Sequence, residues 1–175
     1  FPDRKDHPWF VKYVEDRDLW RFTYPETKMM MAGLSTHPLM GQARFWNLGF
    51  LERIEDFGED EIRDVMEGGK RELLVRERDI ETIIELTERK MRIGGYSGVP
   101  VANAPPKYAS DIGNRLSVKA LFSAVYWDTK KHRHFSLRSH PGMADVAKIA
   151  EGYGGGGHAR AAGFKVPRTH ILAQS

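Results

Sequence analysis

The stretch of this sequence best suited to chemistry is a run of glycines that ends in a histidine. The segment "EGYGGGGHARAAGF", residues 151–164, contains four consecutive glycines followed by His158. Backbone amides without side chains can approach an anion closely, and the imidazole adds a further donor. We therefore expect this glycine loop, together with His158, to bind an anionic group. The alternative is a flexible turn next to a solvent-exposed histidine.

Two known phosphate-binding motifs with similar glycine spacing do not fit this segment. Gly152, Gly154 and Gly157 have the spacing of the G-x-G-x-x-G dinucleotide motif. That motif must follow a strand and open a helix, whereas a helix is predicted before this one. A P-loop would end in Gly-Lys-Ser or Gly-Lys-Thr, but this run ends in His158. Both motifs are excluded.

A second candidate for anion binding lies upstream, in "FSLRS", residues 135–139. Arg138 and Ser139 stand at the end of a predicted strand, where a guanidinium and a hydroxyl can both bind a phosphate. We expect these groups and the glycine run to converge on one pocket. The alternative for Arg138 is an ordinary surface arginine at the end of a strand.

The residues that precede these candidates predict a mainly helical N-terminal half. Residues 6–20 predict a strand or short helix, and 26–33 a helix; 41–58 carry apolar residues at helical spacing. The pair Gly68–Gly69 is expected to end or bend a helix. Residues 70–91 predict a long helix, because apolar positions recur among charges.

The last 80 or so residues predict a small mixed sheet. Residues 92–105 and 121–139 are rich in β-branched and aromatic residues, with a hairpin turn at 128–133, while 111–121 and 144–154 predict helices. The fold class is therefore α/β: a helical N-terminal part, a long connector helix and a small mixed sheet flanked by helices. The predicted domain limits are 1–69, 70–94 for the connector helix, and 95–175.

Composition limits the class of protein. The chain has 175 residues, 41% hydrophobic and 29% charged, with a net charge of +3 and no cysteine. Disulfides and thiolate metal sites are excluded, and a cytoplasmic location is expected. No apolar stretch approaches the roughly 20 residues of a membrane span, so no membrane partner is expected. The sequence allows a homodimer without requiring one.

Two histidines in the predicted hairpin, His132 and His134, are spaced so as to share one face of a strand. A metal site is one interpretation. Because no third ligand of predictable position accompanies them, a role on the hairpin surface is favoured. The Met29–Met31 run and the tryptophans are expected to serve in packing.

The order and spacing of "FSLRS" and "GMADVAKIAEGYGGGGHARAAG" resemble the DHH phosphoesterase superfamily, in the branch with a DHH-associated C-terminal domain. The resemblance implies that the loop Gly155–His158, Arg138 and Ser139 bind the phosphate or carboxylate end of a substrate. The segment "SDIGNRLS" is also similar, which suggests that Asn114 lines the same cleft; a place on the helix surface is the alternative.

In the N-terminal half, "YVEDRDLW", residues 13–20, resembles a family segment in which an aspartate binds metal. The resemblance assigns this role to Asp16, with Mn²⁺ or Mg²⁺ as the expected cofactor of the complete enzyme; two such ions would activate water. The alternative is a solvated acidic corner in which Glu15, Asp16 and Asp18 pair with neighbouring arginines.

Earlier family motifs are missing from this chain: an Asp-x-Asp, a second aspartate and the Asp-His-His triplet would all precede Asp16. The chain is therefore expected to match the C-terminal half or so of a complete phosphodiesterase, acting on a short oligonucleotide, dinucleotide or nucleotide. Alone, it is expected to bind ligand without hydrolysis. A second hypothesis is a catalytically inactive nucleotide- or phosphate-binding module. Binding to long nucleic acid is disfavoured, because no basic stripe interleaved with aromatics stands out.

Overall fold

The computed structural model describes residues 8–19, 21–38 and 48–174. Its helices are α1 (Val11–Asp18), α2 (Thr27–Thr36), α3 (Leu48–Glu55), α4 (Glu59–Thr87), α5 (Ala109–Ser117), α6 (Val146–Glu151) and α7 (Ile171–Gln174). Its strands are β1 (Arg89–Ile93), β2 (Tyr96–Asn103), β3 (Ser123–Asp128), β4 (His132–Arg138), β5 (Gly156–His158) and β6 (Ala161–Pro167). The chain divides into two compact units, 1–78 and 79–175. Among the described residues, no helix has the length and apolar character needed to cross a membrane.

The first unit is helical, as the sequence predicts. Its core contains Phe10, Met30, Leu34, Ile54 and Val65, all nearly inaccessible to solvent. The strand-or-helix alternative for residues 6–20 is resolved as helix α1 within the described part, and the predicted helix at 26–33 is α2. The predicted helical stretch 41–58 falls partly outside the described residues. Its described portion forms α3 and the connection to α4.

The prediction that Gly68 and Gly69 end a helix is wrong, because α4 runs through both residues from Glu59 to Thr87; a bend at this pair stays a prediction. Gly69 serves a different purpose: a Cβ there would lie 1.8 Å from the carbonyl oxygen of Met29 on α2. Gly33 meets α4 in the same way, with a Cβ position 1.9 Å from the carbonyl oxygen of Val65. Glycine therefore lets the two helix backbones touch.

The predicted helix 70–91 also has different limits, since α4 ends at Thr87. The Thr87 hydroxyl donates to the Ile83 carbonyl oxygen at 2.7 Å and accepts from the Asn103 amide at 3.1 Å. The end of the helix is thereby tied to β2. From Arg89 onward the chain is strand β1, in which Met91 and Ile93 are buried and the residue between them is exposed. Pairing with β2 thus overrides the helical pattern of the sequence.

The second unit is built on a six-stranded sheet in the order β1-β2-β3-β4-β6-β5. Within this sheet β2 and β3 pair in parallel, and the other neighbours are antiparallel. Because parallel neighbours need a crossover connection, α5 lies between β2 and β3 in the chain. The predicted hairpin is confirmed as β3 and β4, and so is the α/β fold class with a helical N-terminal part and a small mixed sheet.

Alternate residues of β4 point to opposite faces of this sheet. One face, here called the α6 face, buries Phe135 and Leu137 in a core with α6 and α7. The other, the α5 face, is covered over β2 and β3 by α5 and the end of α4, through residues such as Ile112 and Val125. Over β4 and β6 the α5 face stays partly open, because Ser136 and Gly163 are only half-buried. This open part carries Arg138, Gly156 and His158, three of the predicted anion-binding residues.

Candidate functional site

Arg138 ends β4 on the α5 face and is half-buried against helix α5. Its guanidinium donates to the hydroxyl of Ser110 at 2.7 Å, to the hydroxyl of Ser136 at 3.0 Å and to the Leu137 carbonyl oxygen at 2.8 Å. All three acceptors are neutral oxygens. Since a guanidinium has five N–H donors, the bonds to the described residues leave donors for a ligand.

The position of this cation on α5 depends on a glycine. A Cβ at Gly113 would lie 2.8 Å from Cγ of Arg138, so the arginine stem packs directly on the helix backbone. Burial lowers the pKa of Arg138, and the charge of Asp111 acts in the opposite direction. A cation that has lost part of its hydration and is hydrogen-bonded to neutral oxygens is suited to bind an anionic group.

Ser139 follows Arg138 but is buried, with 5% of its surface exposed. Its hydroxyl donates to the Ala159 carbonyl oxygen at 3.2 Å, and its amide donates to the Arg160 carbonyl oxygen at 3.1 Å. The amide of Val146 also donates to Ala159, at 2.9 Å. These bonds fix the turn between β5 and β6. Ser139 therefore positions the turn that follows His158. A direct role of Ser139 in phosphate binding stays a prediction.

The glycine run follows α6 and enters the edge strand β5. A Cβ at Gly155 would lie 2.2 Å from the Gly163 carbonyl oxygen, and one at Gly157 would lie 2.6 Å from the Ala161 carbonyl oxygen. The backbone at both positions thus lies too close to β6 to leave room for a side chain, so the fold requires glycine there. Gly156 differs: a Cβ there would meet nothing within 4 Å. The fold does not require glycine at this exposed position, so the absence of a side chain there leaves space above β5.

His158 and Arg138 belong to one row across the sheet. His158 is the register partner of Ala161, which is itself the partner of Arg138. With two strand spacings of about 4.8 Å between them, their backbones lie about 10 Å apart. His158 is exposed at the edge of the sheet, whereas the Arg138 side chain packs against α5. Arg138, Gly156 and His158 therefore share the open part of this face, whereas Ser139 is buried. The convergence of all these groups on one pocket stays a prediction. The two cavities described in the structure lie elsewhere, one of about 520 Å³ beside Tyr153 and one of about 330 Å³ beside Tyr126.

Asn114 is half-buried on α5, one helical turn after Ser110. Residues four apart share a helix face, and Ser110 is bonded to Arg138. Asn114 thus lies on the stripe of α5 that borders the candidate site. Its role in binding stays a prediction.

Two side chains that accept hydrogen bonds from Arg138, those of Ser110 and Ser136, were not identified from the sequence. Neither was His140, two residues after Arg138. The His140 ring nitrogen Nε2 lies 3.2 Å from the buried hydroxyl of Ser117 on α5. Ser136 could have been found from the two-residue period of β4, which puts it beside Arg138 on the same face. Ser110 and His140 could not, because their positions depend on how α5 packs on the sheet.

Asp16, the predicted metal ligand, lies in the first unit and is buried, with 4% of its surface exposed. One carboxylate oxygen accepts from the Thr23 amide at 2.7 Å, and the other accepts from the Tyr24 amide at 3.2 Å and from the Thr27 hydroxyl. Burial acts to raise the pKa of this carboxyl, but these hydrogen bonds outweigh it and leave the pKa below the ordinary value. Asp16 therefore fixes the connection between α1 and α2.

A complete set of metal ligands is not present in the part of the chain that the structure describes. Within those residues, no three His, Asp or Glu side chains lie close enough to hold an ion. The oxygens of Asp16 are occupied by three hydrogen-bond donors. The described residues do not by themselves fit a metal centre, and the metal role of Asp16 stays a prediction.

The sequence and the fold of this chain can be compared with those of known proteins. No protein-family model matches the chain. An uncharacterised protein of Acanthamoeba polyphaga mimivirus is 29% identical over 171 residues; the match covers 94% of this chain and 38% of that protein. This chain thus spans well under half the length of that relative.

Two solved structures share the fold at low sequence identity. A pGpG-specific phosphodiesterase, PggH, from Vibrio cholerae is 15% identical with a TM-score of 0.51, over 93% of this chain and 64% of that one. The DHH domain of a protein described as a member of a ribosomal protein family is 15% identical with a TM-score of 0.55, over 94% and 43%. The expected resemblance is confirmed at the level of structure: this chain has the fold of DHH-domain proteins, matched over part of their length.

Proposed function

We propose that this chain binds the terminal phosphate of a short oligonucleotide, dinucleotide or nucleotide, and that it is the substrate-binding part of a metal-dependent phosphoesterase. The observation that carries the proposal is the environment of Arg138. Its guanidinium is half-buried, donates to three neutral oxygens and faces an open part of the sheet. A phosphate would supply the negative charge that these acceptors lack.

The glycine run provides the other side of this site. Gly156 carries no side chain although the fold leaves room for one, and His158 ends the same strand at the exposed edge. The Gly155 amide donates to the Ala150 carbonyl oxygen at 2.9 Å, so this residue would contribute close backbone approach rather than a donor. The His158 imidazole and the backbone of β5, which has no side chain at Gly156 or Gly157, suit the remaining oxygens of a phosphate. The similarity in fold to a phosphodiesterase whose name specifies pGpG as substrate supports a nucleotide ligand.

In a complete enzyme, Mn²⁺ or Mg²⁺ would activate a water molecule and stabilise the leaving oxygen of the phosphodiester. The residues of this chain would contribute by holding the substrate end, so that one particular bond faces that centre. Asn114 and Ser139 would act at the margin of the site, Asn114 on the bordering helix and Ser139 by fixing the turn after His158.

The test is calorimetric titration of the chain with a 5′-phosphorylated dinucleotide. Since a charge-assisted hydrogen bond contributes about 1.5–3 kcal/mol, Arg138→Ala should weaken binding by tenfold or more. Arg92→Ala is the matched control, because Arg92 is an exposed arginine on β1 at the opposite edge of the sheet. Equal affinities for wild type and Arg138→Ala would contradict the proposal.

A second candidate, a binding module without catalysis, is favoured by one observation. The Asp16 carboxylate already accepts three hydrogen bonds and holds the α1–α2 connection. A turnover assay with added Mn²⁺ on the longest natural form of the protein separates the two. Hydrolysis of the dinucleotide supports the enzyme, whereas tight binding without product supports the module.

A further inference from the structure

The open part of the α5 face extends well beyond Arg138. Two rows further along the sheet, Trp127 on β3, His134 on β4 and Lys165 on β6 are register partners. His134 lies on the same strand and the same face as Arg138, four residues away. At about 3.3 Å per residue this places the two backbone positions about 13 Å apart.

Trp127 and His134 form a parallel ring stack on this face. Their ring centroids are 5.4 Å apart and the rings are inclined by only 7°. Trp127 packs against the core cluster under α5, which holds its ring in place, and both residues are half-buried. Lys165 beside them is exposed and adds a cation. A fixed aromatic surface with a cation next to it is the arrangement that stacks a nucleobase.

The surface between this ring stack and Arg138 carries little side-chain volume. The intervening row contains Ser136 on β4 and Gly163 on β6, which are register partners, and then Gly156 on β5. Two of these three residues have no side chain, and the third ends in a hydroxyl. A sugar-phosphate chain can therefore run along the sheet from Arg138 to His134 without displacing a bulky group.

From this geometry we infer a second subsite, formed by Trp127, His134 and Lys165, that stacks the base of the second nucleotide of a ligand whose terminal phosphate is bound at Arg138. The inference rests on the proposed function and makes it more specific. The distance of about 13 Å between the backbone positions of Arg138 and His134 suits two linked nucleotides better than one. The ligand class is then a dinucleotide or longer oligonucleotide, rather than a mononucleotide or an inorganic polyphosphate.

The experiment compares two ligands that share the phosphate chemistry and differ in the base. The 175-residue chain and its variants are titrated with a 5′-phosphorylated dinucleotide and with inorganic tripolyphosphate. Base stacking on an aromatic side chain contributes enough binding free energy that His134→Ala should weaken dinucleotide binding by about 5- to 140-fold. Tripolyphosphate binding should change by less than about twofold, since it has no base to stack. Lys165→Ala should weaken dinucleotide binding by a smaller factor.

A matched control and a second readout keep the test independent of folding defects. His132→Ala also removes an imidazole from β4, on the same face as His134; the two rings meet edge-on with their centroids 6.3 Å apart. The dinucleotide affinity of this variant should stay within about twofold of wild type. The dinucleotide should also quench tryptophan fluorescence, and Trp127→Phe should remove most of that quenching. Tripolyphosphate should cause no such change.

The failures of the two proposals are distinguishable. If neither ligand binds the wild-type chain, the proposed function fails and the subsite fails with it. If both ligands bind but His134→Ala leaves the dinucleotide affinity unchanged, or weakens both ligands equally, the second subsite is overturned while phosphate binding at Arg138 stands.

Discussion

Strand β4 carries two arginines on opposite faces of the sheet, and their surroundings differ. Arg133, on the α6 face, is 6% exposed; its Nε and one terminal nitrogen bind the two carboxylate oxygens of Asp128 at 2.8 and 3.0 Å. It also donates to the Leu172 carbonyl oxygen at 3.1 Å and stacks 4.1 Å from the centre of the Tyr126 ring. Arg138, on the α5 face, donates to three neutral oxygens.

The difference separates a structural arginine from one that is available to a ligand. Arg133 has an ion pair, a carbonyl oxygen and an aromatic ring, so its charge is neutralised within the fold. Arg138 is partly desolvated and bonded to neutral groups, a state that stabilises the fold little and that a bound phosphate would improve. The residue type and the strand are the same in both cases. The partners from other elements distinguish the two roles.

Removal of the structural arginine should have the largest effect on stability. Arg133→Ala leaves the Asp128 carboxylate paired with Arg168. It also removes the hydrogen bond from Arg133 to the Leu172 carbonyl oxygen on α7. Because Arg133 is buried, the combined loss of its ion pair, its hydrogen bond to α7 and the packing of its side chain on Tyr126 should lower the free energy of unfolding by about 2–3 kcal/mol, measured by urea denaturation. A loss below about 1 kcal/mol would mean that the two arginines do not differ as described.

The converse effect is expected at the other arginine. Arg138→Ala should weaken the binding of a 5′-phosphorylated dinucleotide by tenfold or more, because a charge-assisted contact is lost. The free energy of unfolding should change by about 1 kcal/mol or less, since the hydroxyls of Ser110 and Ser136 can rebind water. Urea denaturation and calorimetry on the same samples check both values. A large stability loss without a change in affinity would reverse the assignment.

The ion pair of Arg133 also predicts a pH dependence. The hydrogen bond from Arg133, with a smaller contribution from Arg168, lowers the pKa of Asp128 from 3.8 to about 2, against the opposing effect of burial. Because the folded state holds the deprotonated form more strongly, the stabilisation is present above about pH 4 and is lost as the pH falls towards about 2.

Since Asp128 is about one-third exposed, we expect this contribution to be about 1 kcal/mol. It should appear as a decrease in thermal stability between about pH 4 and about pH 2 that Asp128→Asn reduces. An unchanged pH profile in Asp128→Asn would contradict the ion-pair account.

The smallest effect on stability is expected at the glycine run. Gly156→Ala should leave the free energy of unfolding within about 0.5 kcal/mol of wild type, because its Cβ would meet nothing within 4 Å. The same variant should weaken dinucleotide binding by placing a methyl group above β5. Gly155→Ala is the comparison: its Cβ would lie 2.2 Å from the Gly163 carbonyl oxygen, so it should destabilise the chain. Equal stability losses in both variants would show that Gly156 is also required by the fold.

Much of this contrast could be predicted from the sequence. The alternation of "HRHFSLR" places Arg133, Phe135 and Leu137 on one face, and Ser136 and Arg138 on the other. The hairpin, the helices of the second unit and the helical N-terminal half follow from periodicity in the same way. What the pattern does not contain is the identity of the partners: Asp128 and Leu172 for one arginine, Ser110 for the other.

The errors have the same physical origin. Gly68 and Gly69 predicted the end of a helix because glycine is common there, but the need for glycine at Gly69 comes from contact with the backbone of α2. Residues 88–91 continued a helical pattern until pairing with β2 made 89–91 part of a strand. At each of these positions a contact between distant elements decides the local structure.

The central claim is that Arg138, and not Arg133, meets the phosphate of a ligand. The most direct test is an NMR titration of ¹⁵N-labelled chain with a 5′-phosphorylated dinucleotide, following the arginine Nε–H signals and the amides of the glycine run. We expect the signals of Arg138 and of Gly155–Gly157 to shift together with one dissociation constant, while the Nε–H signal of Arg133 stays fixed. Saturable binding that leaves the Arg138 and glycine signals unmoved would contradict the account.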